Sequence, residues 1–167
     1  MRRGIAQIHY RTCKDTLTID FGRARPEDAF GISDLEQNIF PDPWSYRDIV
    51  DLISTEGAMC FCATDGDKVI AYVLGRLIAP EGEIYRVAVK EEYRKRGVAY
   101  RLLDYAMKTS RGAGLECAFL EVRSQNIPAI KLYTAYGFKE IGRRKNYYKS
   151  PTDDAIVMLR GLGAYFD

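Results

Sequence analysis

The order in which the hydrophobic pattern changes its period along the chain restricts the possible folds more than any other feature of this sequence. Segments that alternate apolar and polar residues predict strands, and segments with apolar residues three and four positions apart predict helices. In chain order, the predicted elements are β-α-α-β-β-β-α-β-α-β-β. Strands interspersed with helices in this way form one layered α/β system. The predicted fold class is therefore α/β with a mixed sheet.

Capping and turn residues support the boundaries of these elements. Pro26 is followed by two acids and is a good helix start, and Ser45 can cap a second helix. The pair Asp65-Gly66 indicates a hairpin between two strands, and Gly137 occupies the position of a left-handed helix end. The predicted strands cover residues 17–25, 58–64, 68–78, 83–90, 115–123, 138–148 and 153–160. The predicted helices cover residues 26–40, 45–54, 97–112 and 127–136.

The length of 167 residues corresponds to one domain. We expect a single domain over residues 17–160, with no linker and no internal repeat inside it. Residues 1–16 are predicted to be an N-terminal extension of unassigned role, either a tail or an added strand. Residues 161–167 are predicted to be a C-terminal tail.

Charge and cysteine content exclude several classes of function. The 25 basic and 23 acidic residues give a net charge of +2, which is too balanced for a nucleic-acid-binding protein. No run of roughly 18 apolar residues predicts a membrane span.

Because the cysteines lack Cys-x-x-Cys spacing and the chain has 1 histidine, no metal site is expected. We interpret the thiols as reduced, in a cytoplasmic protein that is a monomer or a weak dimer. These cysteines are Cys13, Cys60, Cys62 and Cys117.

The segment Arg94-Lys95-Arg96-Gly97-Val98-Ala99 lies between a predicted strand and a predicted helix. Its glycine removes the side chain where a ligand would approach the backbone, and the first N–H groups of a helix have no acceptor within that helix. Together with the helix dipole, these groups form an anion site that suits a pyrophosphate. The spacing differs from the Walker A loop and from the dinucleotide fingerprint. A solvated cluster of cations before an ordinary helix is the alternative interpretation.

Glu121, in the motif Leu120-Glu121-Val122-Arg123, is a candidate general base. Strand alternation places it on the same face as Cys117 and Phe119. A carboxylate beside apolar groups suits the removal of a proton. The alternative is a glutamate at a strand end that reaches water or pairs with Arg123.

Asn126 and Tyr133 belong to the next predicted helix. Asn126 is placed to cap that helix, and Tyr133 lies on the same face as Ala129 and Tyr136. A tyrosine can donate a proton at neutral pH, because its reference pKa is about 10. Packing in the core or at its rim is the alternative role for Tyr133.

Several motifs in a fixed order make the chain resemble the GNAT superfamily of acetyl-CoA-dependent N-acetyltransferases. These motifs are the R-x-x-G-x-A loop before a helix, L-E-V-R on a strand, N-x-x-A-I-x-L-Y and G-F. Arg144-Lys145-Asn146-Tyr147-Tyr148, followed by residues 153–158, resembles the RimI type, whose members acetylate protein N-termini. The resemblance extends over about residues 18–160 and is strongest over 83–159.

The resemblance implies a GNAT-type fold and acetyl-CoA as the cosubstrate. A strand edge would pair with the pantetheine arm, the glycine-containing loop would hold the pyrophosphate, and a backbone N–H would stabilise the oxyanion. Ala99 stands where many relatives have glycine, and the family accepts either residue. The implied cofactor-binding residues are Val87, Ala88, Val89, Arg94, Lys95, Arg96, Gly97, Val98, Ala99, Tyr100 and Asn126.

The resemblance also implies direct transfer to an amine, without a covalent enzyme intermediate. Glu121 would act as the general base and Tyr133 as the general acid, so Cys117 is interpreted as a packing residue. The implied acceptor is a protein or peptide N-terminus, with the N-terminal alanine of a ribosomal protein as the expected substrate. The implied substrate-binding residues are Phe40, Trp44, Glu83, Tyr85, Tyr147 and Tyr148.

Alternative roles for these features define the competing hypotheses. Trp44 could be a hydrophobic staple between two helices. The same fold could acetylate a small amine such as a polyamine or an amino sugar, and a non-catalytic acyl-CoA-binding module is the hypothesis from another class of protein. A cluster of cations could guide an acidic partner or form a solvated face; it consists of Arg143, Arg144, Lys145 and Lys149.

Overall fold

The computed structural model describes the backbone of residues 6–11 and 16–162, and the side chains of residues 18–162. Over these residues the chain forms one sheet of 8 strands with helices on both faces. The strands are β1 (Ala6–Arg11), β2 (Thr16–Arg23), β3 (Phe61–Asp65), β4 (Lys68–Ile78), β5 (Glu81–Val89), β6 (Cys117–Arg123), β7 (Lys139–Lys149) and β8 (Thr152–Gly161). The α-helices are α1 (Ala29–Ile39), α2 (Tyr46–Ser54), α3 (Val98–Arg111) and α4 (Ile127–Ala135). Short 3-10 turns occupy Pro26–Asp28 and Glu91–Tyr93.

The sheet is mixed, as the order of the predicted elements requires. Its strand order is β1-β2-β3-β4-β5-β6-β8-β7, and every neighbouring pair is antiparallel except β5 and β6. The chain reaches β6 from β5 through α3, and a helical crossover of this kind returns the chain parallel to the strand it left. The prediction of a mixed α/β fold is confirmed.

Apolar clusters on both faces of the sheet hold the helices in place. α1 and α2 pack on one face, in a buried cluster that includes Tyr72 and Leu74 of β4. α3 packs on the other face, in a cluster that includes Val73, because successive strand residues point to opposite sides. The apolar face predicted for α3 is confirmed by four residues that are at most 1% exposed, namely Val98, Leu102, Ala106 and Met107.

Most predicted boundaries lie within a few residues of the observed ones. Ser45 caps α2 as predicted, and its hydroxyl accepts a hydrogen bond from the Asp48 N–H at 3.2 Å. The strand predicted from residue 58 begins only at Phe61. The difference arises because Ala58 forms an isolated bridge to Arg76 before the continuous ladder starts.

Both ends of the described chain extend the sheet slightly. β1 lies within the predicted N-terminal extension and pairs antiparallel with β2 at one edge. β8 ends at Gly161, one position inside the predicted tail. The predictions for residues 1–5, 12–15 (which include Cys13) and 163–167 lie outside the described residues. Among the helices of residues 6–11 and 16–162, none is both long and apolar enough to cross a membrane.

Candidate active site

The two parallel strands at the centre of the sheet separate partway along their length. They pair only over Glu81–Ile84 of β5 and Cys117–Leu120 of β6. Beyond this point β5 continues along β4 to Val89, and β6 continues along β8 to Arg123. The facing edges of β5 and β6 therefore present backbone groups that no strand in the described residues pairs with. An extended ligand can add to such an edge.

A β-bulge marks the place where the strands separate. As β5 advances from Ile84 to Arg86, the partner on β4 changes only from Gly75 to Leu74, which leaves Tyr85 as the extra residue. A bulge bends its strand and increases the local twist. The bulge therefore turns the end of β5 away from β6.

A loop with left-handed backbone connects β5 to α3. Lys95 and Gly97 have φ angles of 58° and 74°, and Gly97 caps α3. The hydrogen bond from the Arg101 N–H to the Gly97 carbonyl spans 3.1 Å, and the N–H groups of Val98–Tyr100 precede it at the positive end of the helix dipole. Apart from Gly97 itself and its two neighbours in the chain, no described residue has an atom within 4 Å of the place that a Cβ at Gly97 would occupy. The backbone of this loop is therefore open to an anion.

Side chains fix the first part of this loop. The Tyr93 hydroxyl donates a hydrogen bond of 2.7 Å to Oδ2 of Asp65, and this bond is the main reason why the pKa of Tyr93 is raised to about 12. The Arg94 Nε donates to the Val89 carbonyl at 2.9 Å. The Arg96 guanidinium lies 6.0 Å from the centroid of the Tyr93 ring. Arg94 thus helps to position the loop as well as adding charge to it.

The open edge of β5 runs toward this loop. Val87 and Val89 pack against the cluster beneath α3, whereas Ala88 is buried in the cluster beneath α1 and α2. With side chains on the two faces, the backbone N–H and C=O groups lie in the plane of the opening. Tyr100, in the first turn of α3, is 44% exposed, and its ring makes an edge contact with Tyr136 at 5.2 Å.

Glu121 lies on β6 one position beyond the last residue that pairs with β5. Its side chain is 20% exposed, and its Oε1 is 2.9 Å from the Nε of Arg144. The ion-pair partner is therefore Arg144. The alternative partner Arg123 is wrong, because its guanidinium donates to the carbonyls of Pro151 and Ser150 at 2.9 and 3.2 Å.

The segment of β7 opposite β6 is irregular, and the irregularity places two tyrosines. Three residues of β7 stand opposite one residue of β8 between the pairs Arg144–Ala155 and Tyr148–Asp153. Asn146, in the middle of the insertion, has a φ of 51°, and its N–H donates to a carboxylate of β8 at 2.8 Å. The bulge therefore has a defined conformation, fixed to β8.

Tyr147 and Tyr148 both border Glu121. A hydrogen bond with the Glu121 carboxylate raises the pKa of Tyr147. Burial raises the pKa of Tyr148, and the charge of Glu121 adds to the rise. The two rings are nearly perpendicular at 5.2 Å, and the Arg123 guanidinium lies 4.1 Å from the centroid of the Tyr148 ring. Tyr147 is 45% exposed and is the more solvent-exposed of the two tyrosines.

Glu83 and Tyr85 face the same opening from β5. Burial raises the pKa of Glu83, and the negative charge of Glu121 raises it further. Burial also raises the pKa of Tyr85, with Glu83 as the second cause. The Tyr85 ring lies 5.8 Å from the ring of Trp44. The neighbouring carboxylates of Glu83 and Glu121 together form a site that suits a cation.

Tyr133 lies in α4 at only 7% exposure, with its ring 5.8 Å from that of Phe138. Burial raises the pKa of Tyr133, and Tyr148 adds to the rise, so the hydroxyl is protonated at neutral pH. The charge of Glu121 raises the pKa of Tyr148, and Tyr148 in turn raises the pKa of Tyr133. The structure therefore brings the two residues predicted to be catalytic to the neighbourhood of one tyrosine.

The turn between β6 and α4 is held by short polar contacts. Asn126 caps α4 as predicted, accepting a hydrogen bond of 3.2 Å from the Ala129 N–H. Asp153 on β8 accepts from the Ser124 hydroxyl at 2.6 Å and from the Gln125 N–H at 3.2 Å. The bond from Ser124 is the main reason why the pKa of Asp153 is lowered. These contacts fix the start of α4 relative to β8.

The segment Phe40–Trp44 connects α1 to α2 beside β5. The Arg86 guanidinium lies 4.3 Å from the centroid of the Phe40 ring and donates to the Asp42 carbonyl at 2.9 Å. Trp44 packs against Tyr85 rather than acting only as a staple between helices. Both aromatic residues of this segment therefore lie along β5, on the side of the opening that carries Tyr85.

Two residues that shape this region have no motif in the sequence. Arg86 interrupts an apolar strand, and Glu36 follows Leu35 on the apolar face of α1, where it is 0% exposed. The signal that could have identified Glu36 is an acid within the apolar face of an amphipathic helix, because a buried charge requires partners. No group of three or more His, Cys, Asp or Glu side chains within residues 6–11 and 16–162 is placed to hold a metal ion.

A sheet that opens between two parallel strands, with a glycine-capped helix at the opening, is the architecture of N-acetyltransferases that use acetyl-CoA. The model of the acetyltransferase (GNAT) family matches residues 29–138, and the chain belongs to that family. The protein is accordingly an acetyl-CoA-dependent N-acetyltransferase.

Individual relatives agree with this assignment. The chain is 31% identical over 152 residues to an N-alpha-acetyltransferase of Saccharolobus solfataricus. The aligned region covers 83% of this chain and 90% of that protein. It is 30% identical over 128 residues to the ribosomal protein bS18-alanine N-acetyltransferase of Escherichia coli, covering 74% of this chain and 84% of that protein. The crystal structure of an Escherichia coli ribosomal-protein alanine N-acetyltransferase superimposes with a TM-score of 0.80 at 26% identity, over 87% of this chain and 97% of that one.

Proposed function

We propose that this enzyme acetylates the N-terminal α-amino group of a protein, with the N-terminal alanine of a ribosomal protein as the expected acceptor. The observation that carries the proposal is the cluster of Glu83, Glu121, Tyr147 and Tyr148 at the opening between β5 and β6. Paired carboxylates suit an ammonium group, and phenol hydroxyls suit the polar groups of a peptide backbone. The names of the Saccharolobus solfataricus and Escherichia coli relatives support the same class of acceptor.

Acetyl-CoA would bind along the opening. Its pantetheine amides would pair with the free edge of Val87–Val89 as an added strand. Its pyrophosphate would accept hydrogen bonds from the backbone N–H groups of Lys95–Tyr100, near the cationic side chains of the loop. Asn126, exposed at the start of α4, is proposed to contact the coenzyme beside its capping role. A backbone N–H of the Val87–Val89 edge would face the thioester carbonyl and stabilise the oxyanion.

The acceptor would enter from the side that carries the tyrosines. Glu83 and Glu121 would attract its α-ammonium group, and Tyr147 and Tyr148 would hold its first peptide groups. Trp44 and Phe40, together with Tyr85, would form the wall along β5. Because Tyr85 and Trp44 are already in contact, we expect the space for the first side chain to be small.

The reaction would proceed by direct attack. An α-amino group has a pKa of about 8, so it is largely protonated at neutral pH and cannot attack. Glu121 would remove that proton, directly or through a water molecule, and the amine nitrogen would form a bond to the thioester carbon. The nitrogen would then lose its second proton to solvent, and the tetrahedral oxyanion would collapse with cleavage of the carbon–sulfur bond. Tyr133 would donate its proton to the departing thiolate and regain one from solvent.

We further propose that the enzyme is cytoplasmic. Cys60 and Cys117 are buried thiols outside any disulfide, and burial raises the pKa of Cys60 to about 11. Thiols of this kind pack like small apolar side chains and suit a reducing compartment.

Mass spectrometry of amines incubated with enzyme and acetyl-CoA tests the proposed acceptor. The set contains peptides that begin with Ala, Ser or Met, each with a free or a blocked N-terminus, together with spermidine and a lysine-containing peptide. We expect one added acetyl group on free N-termini and none on the blocked peptides. Acetylation of spermidine alone would favour the small-amine hypothesis. Bound coenzyme without turnover of any amine would favour the binding module.

Replacing Gly97 with tryptophan is expected to weaken acetyl-CoA binding at least about tenfold more than replacing it with alanine. Both substitutions share the cost of a side chain at a φ of 74°, which is about 1 kcal/mol. Only the indole fills the open space above the loop. Calorimetric titration with acetyl-CoA measures the difference, and equal affinities for the two variants would place the pyrophosphate elsewhere.

A further inference from the structure

A buried carboxylate links α1 and β4 to the segment Phe40–Trp44. Glu36 is 0% exposed, and the Tyr72 hydroxyl of β4 donates a hydrogen bond to its Oε1. The Trp44 N–H donates to its Oε2 at 3.0 Å. Because a buried carboxylate is stable only when both oxygens have partners, Glu36 holds the Trp44 backbone in one position relative to the sheet.

The properties of Tyr72 fit this role. It is 0% exposed, and burial raises the pKa of Tyr72, with the charge of Glu36 as the second cause. The phenol therefore keeps its proton and acts as a permanent donor to Glu36. Tyr72 belongs to the cluster beneath α1 and α2, and Glu36 adjoins that cluster through its hydrogen bond with Tyr72.

Arg86 provides a second anchor for the same segment. Its side chain is 14% exposed, and its guanidinium binds the Asp42 carbonyl at 2.9 Å and the Asp42 carboxylate at 3.3 Å. It also lies over the Phe40 ring. The segment is thus fixed at Phe40 and Asp42 by β5, and at Trp44 by Glu36.

We infer that Glu36 and Tyr72 are positioning residues that hold Trp44 as a wall of the acceptor cleft, so that they determine acceptor affinity without taking part in the chemistry. This inference rests on the proposed function. The line of contacts runs from Glu36 to Trp44, from Trp44 to Tyr85 at 5.8 Å, and from Tyr85 to the carboxylate of Glu83. A shift of Trp44 therefore reaches the acceptor side of the site and leaves the pyrophosphate loop in place.

Tyr72→Phe is the test variant, and Tyr93→Phe is its matched control. Each change removes one phenol hydroxyl that donates to a carboxylate, but Tyr93 binds Asp65 beside the coenzyme loop. We expect Tyr72→Phe to raise the KM for an Ala-initiated peptide about fivefold to tenfold. Its KM for acetyl-CoA and its kcat should change by less than about twofold. Tyr93→Phe should leave the KM for the peptide unchanged.

Trp44 supplies a second readout. It is the single tryptophan of the sequence, so the tryptophan fluorescence of the protein reports on this residue alone. We expect Tyr72→Phe to shift the emission of Trp44 to longer wavelength, as the indole gains contact with water, and Tyr93→Phe to leave it unchanged. If Tyr72→Phe does not fold, Glu36→Leu removes both hydrogen bonds of the carboxylate without leaving a buried charge, and shifts in the same direction are expected.

Two results would overturn the inference. One is an unchanged Trp44 emission and an unchanged KM for the peptide in a folded Tyr72→Phe or Glu36→Leu variant. The other is an equal rise of both KM values, which is the result of a general loss of structure. Failure of the proposed function is a separate result, since it would appear as wild-type enzyme that does not acetylate the peptide. The emission comparison needs no acceptor and still decides whether Glu36 and Tyr72 position Trp44.

Discussion

Tyr133→Phe is expected to lower kcat about 100-fold or more, which is the usual contribution of a positioned general acid. The substitution removes the proton that the departing thiolate would receive, while the ring keeps its place beside Phe138. Acetyl-CoA affinity should stay the same, as measured by calorimetry. Because burial raises the pKa of Tyr133, the acid is protonated at every working pH. The loss of kcat should therefore be uniform from about pH 6 to pH 9.

Tyr136→Phe is the control for this result. Tyr136 follows Tyr133 by one helical turn, but its hydroxyl donates to Oδ1 of Asp104 at 3.1 Å, and its ring lies 4.0 Å from the Arg160 guanidinium. We expect kcat of this variant to stay within about twofold of wild type. Full activity of Tyr133→Phe would remove Tyr133 from the mechanism and leave it a packing residue.

Glu121→Gln is expected to lower kcat/KM for the peptide about 100-fold near pH 6.5, with a smaller loss above about pH 8.5. The sign follows from the acceptor, whose α-amino group has a pKa of about 8. Below that pH the amine carries a proton that a base must remove, whereas above it the amine is already neutral. A pH profile of kcat/KM for wild type and variant measures the difference.

Arg144→Gln separates the carboxylate from its ion pair. This variant keeps Glu121 but loses the contact at 2.9 Å, and the Arg144 side chain is 60% exposed, so its contribution to folding is small. We expect a loss of less than about tenfold that does not depend on pH in the way described for Glu121→Gln. A flat, pH-independent loss in Glu121→Gln itself would mean that Glu121 only holds the β7 segment in place.

The elements of this fold follow from local patterns, and their predictions are largely confirmed. Apolar spacing identified α3, and the capping of α2 by Ser45 and of α4 by Asn126 was predicted correctly. Gly97 lies directly before α3, as predicted. These features depend on interactions within a few residues, so composition and spacing are enough to locate them.

The partners of the site residues could not be predicted in the same way. Glu121 was assigned water or Arg123 as alternatives, whereas the structure pairs it with Arg144. The reason is the insertion in β7, where three residues stand opposite one residue of β8. A bulge of this kind changes which side chains meet across a sheet, and no local pattern in the sequence specifies its position.

The sequence by itself determined the order of strands and helices, the glycine-capped loop before α3 and the residue types available for acid–base chemistry. Only the tertiary structure decided where β5 and β6 separate, which tyrosines border Glu121, and that Glu36 meets Tyr72 across 36 positions of the chain. Periodicity and capping are properties of a few neighbouring residues. Ion pairs and buried hydrogen bonds depend on strand register and on bulges, which are fixed only when distant segments pack together.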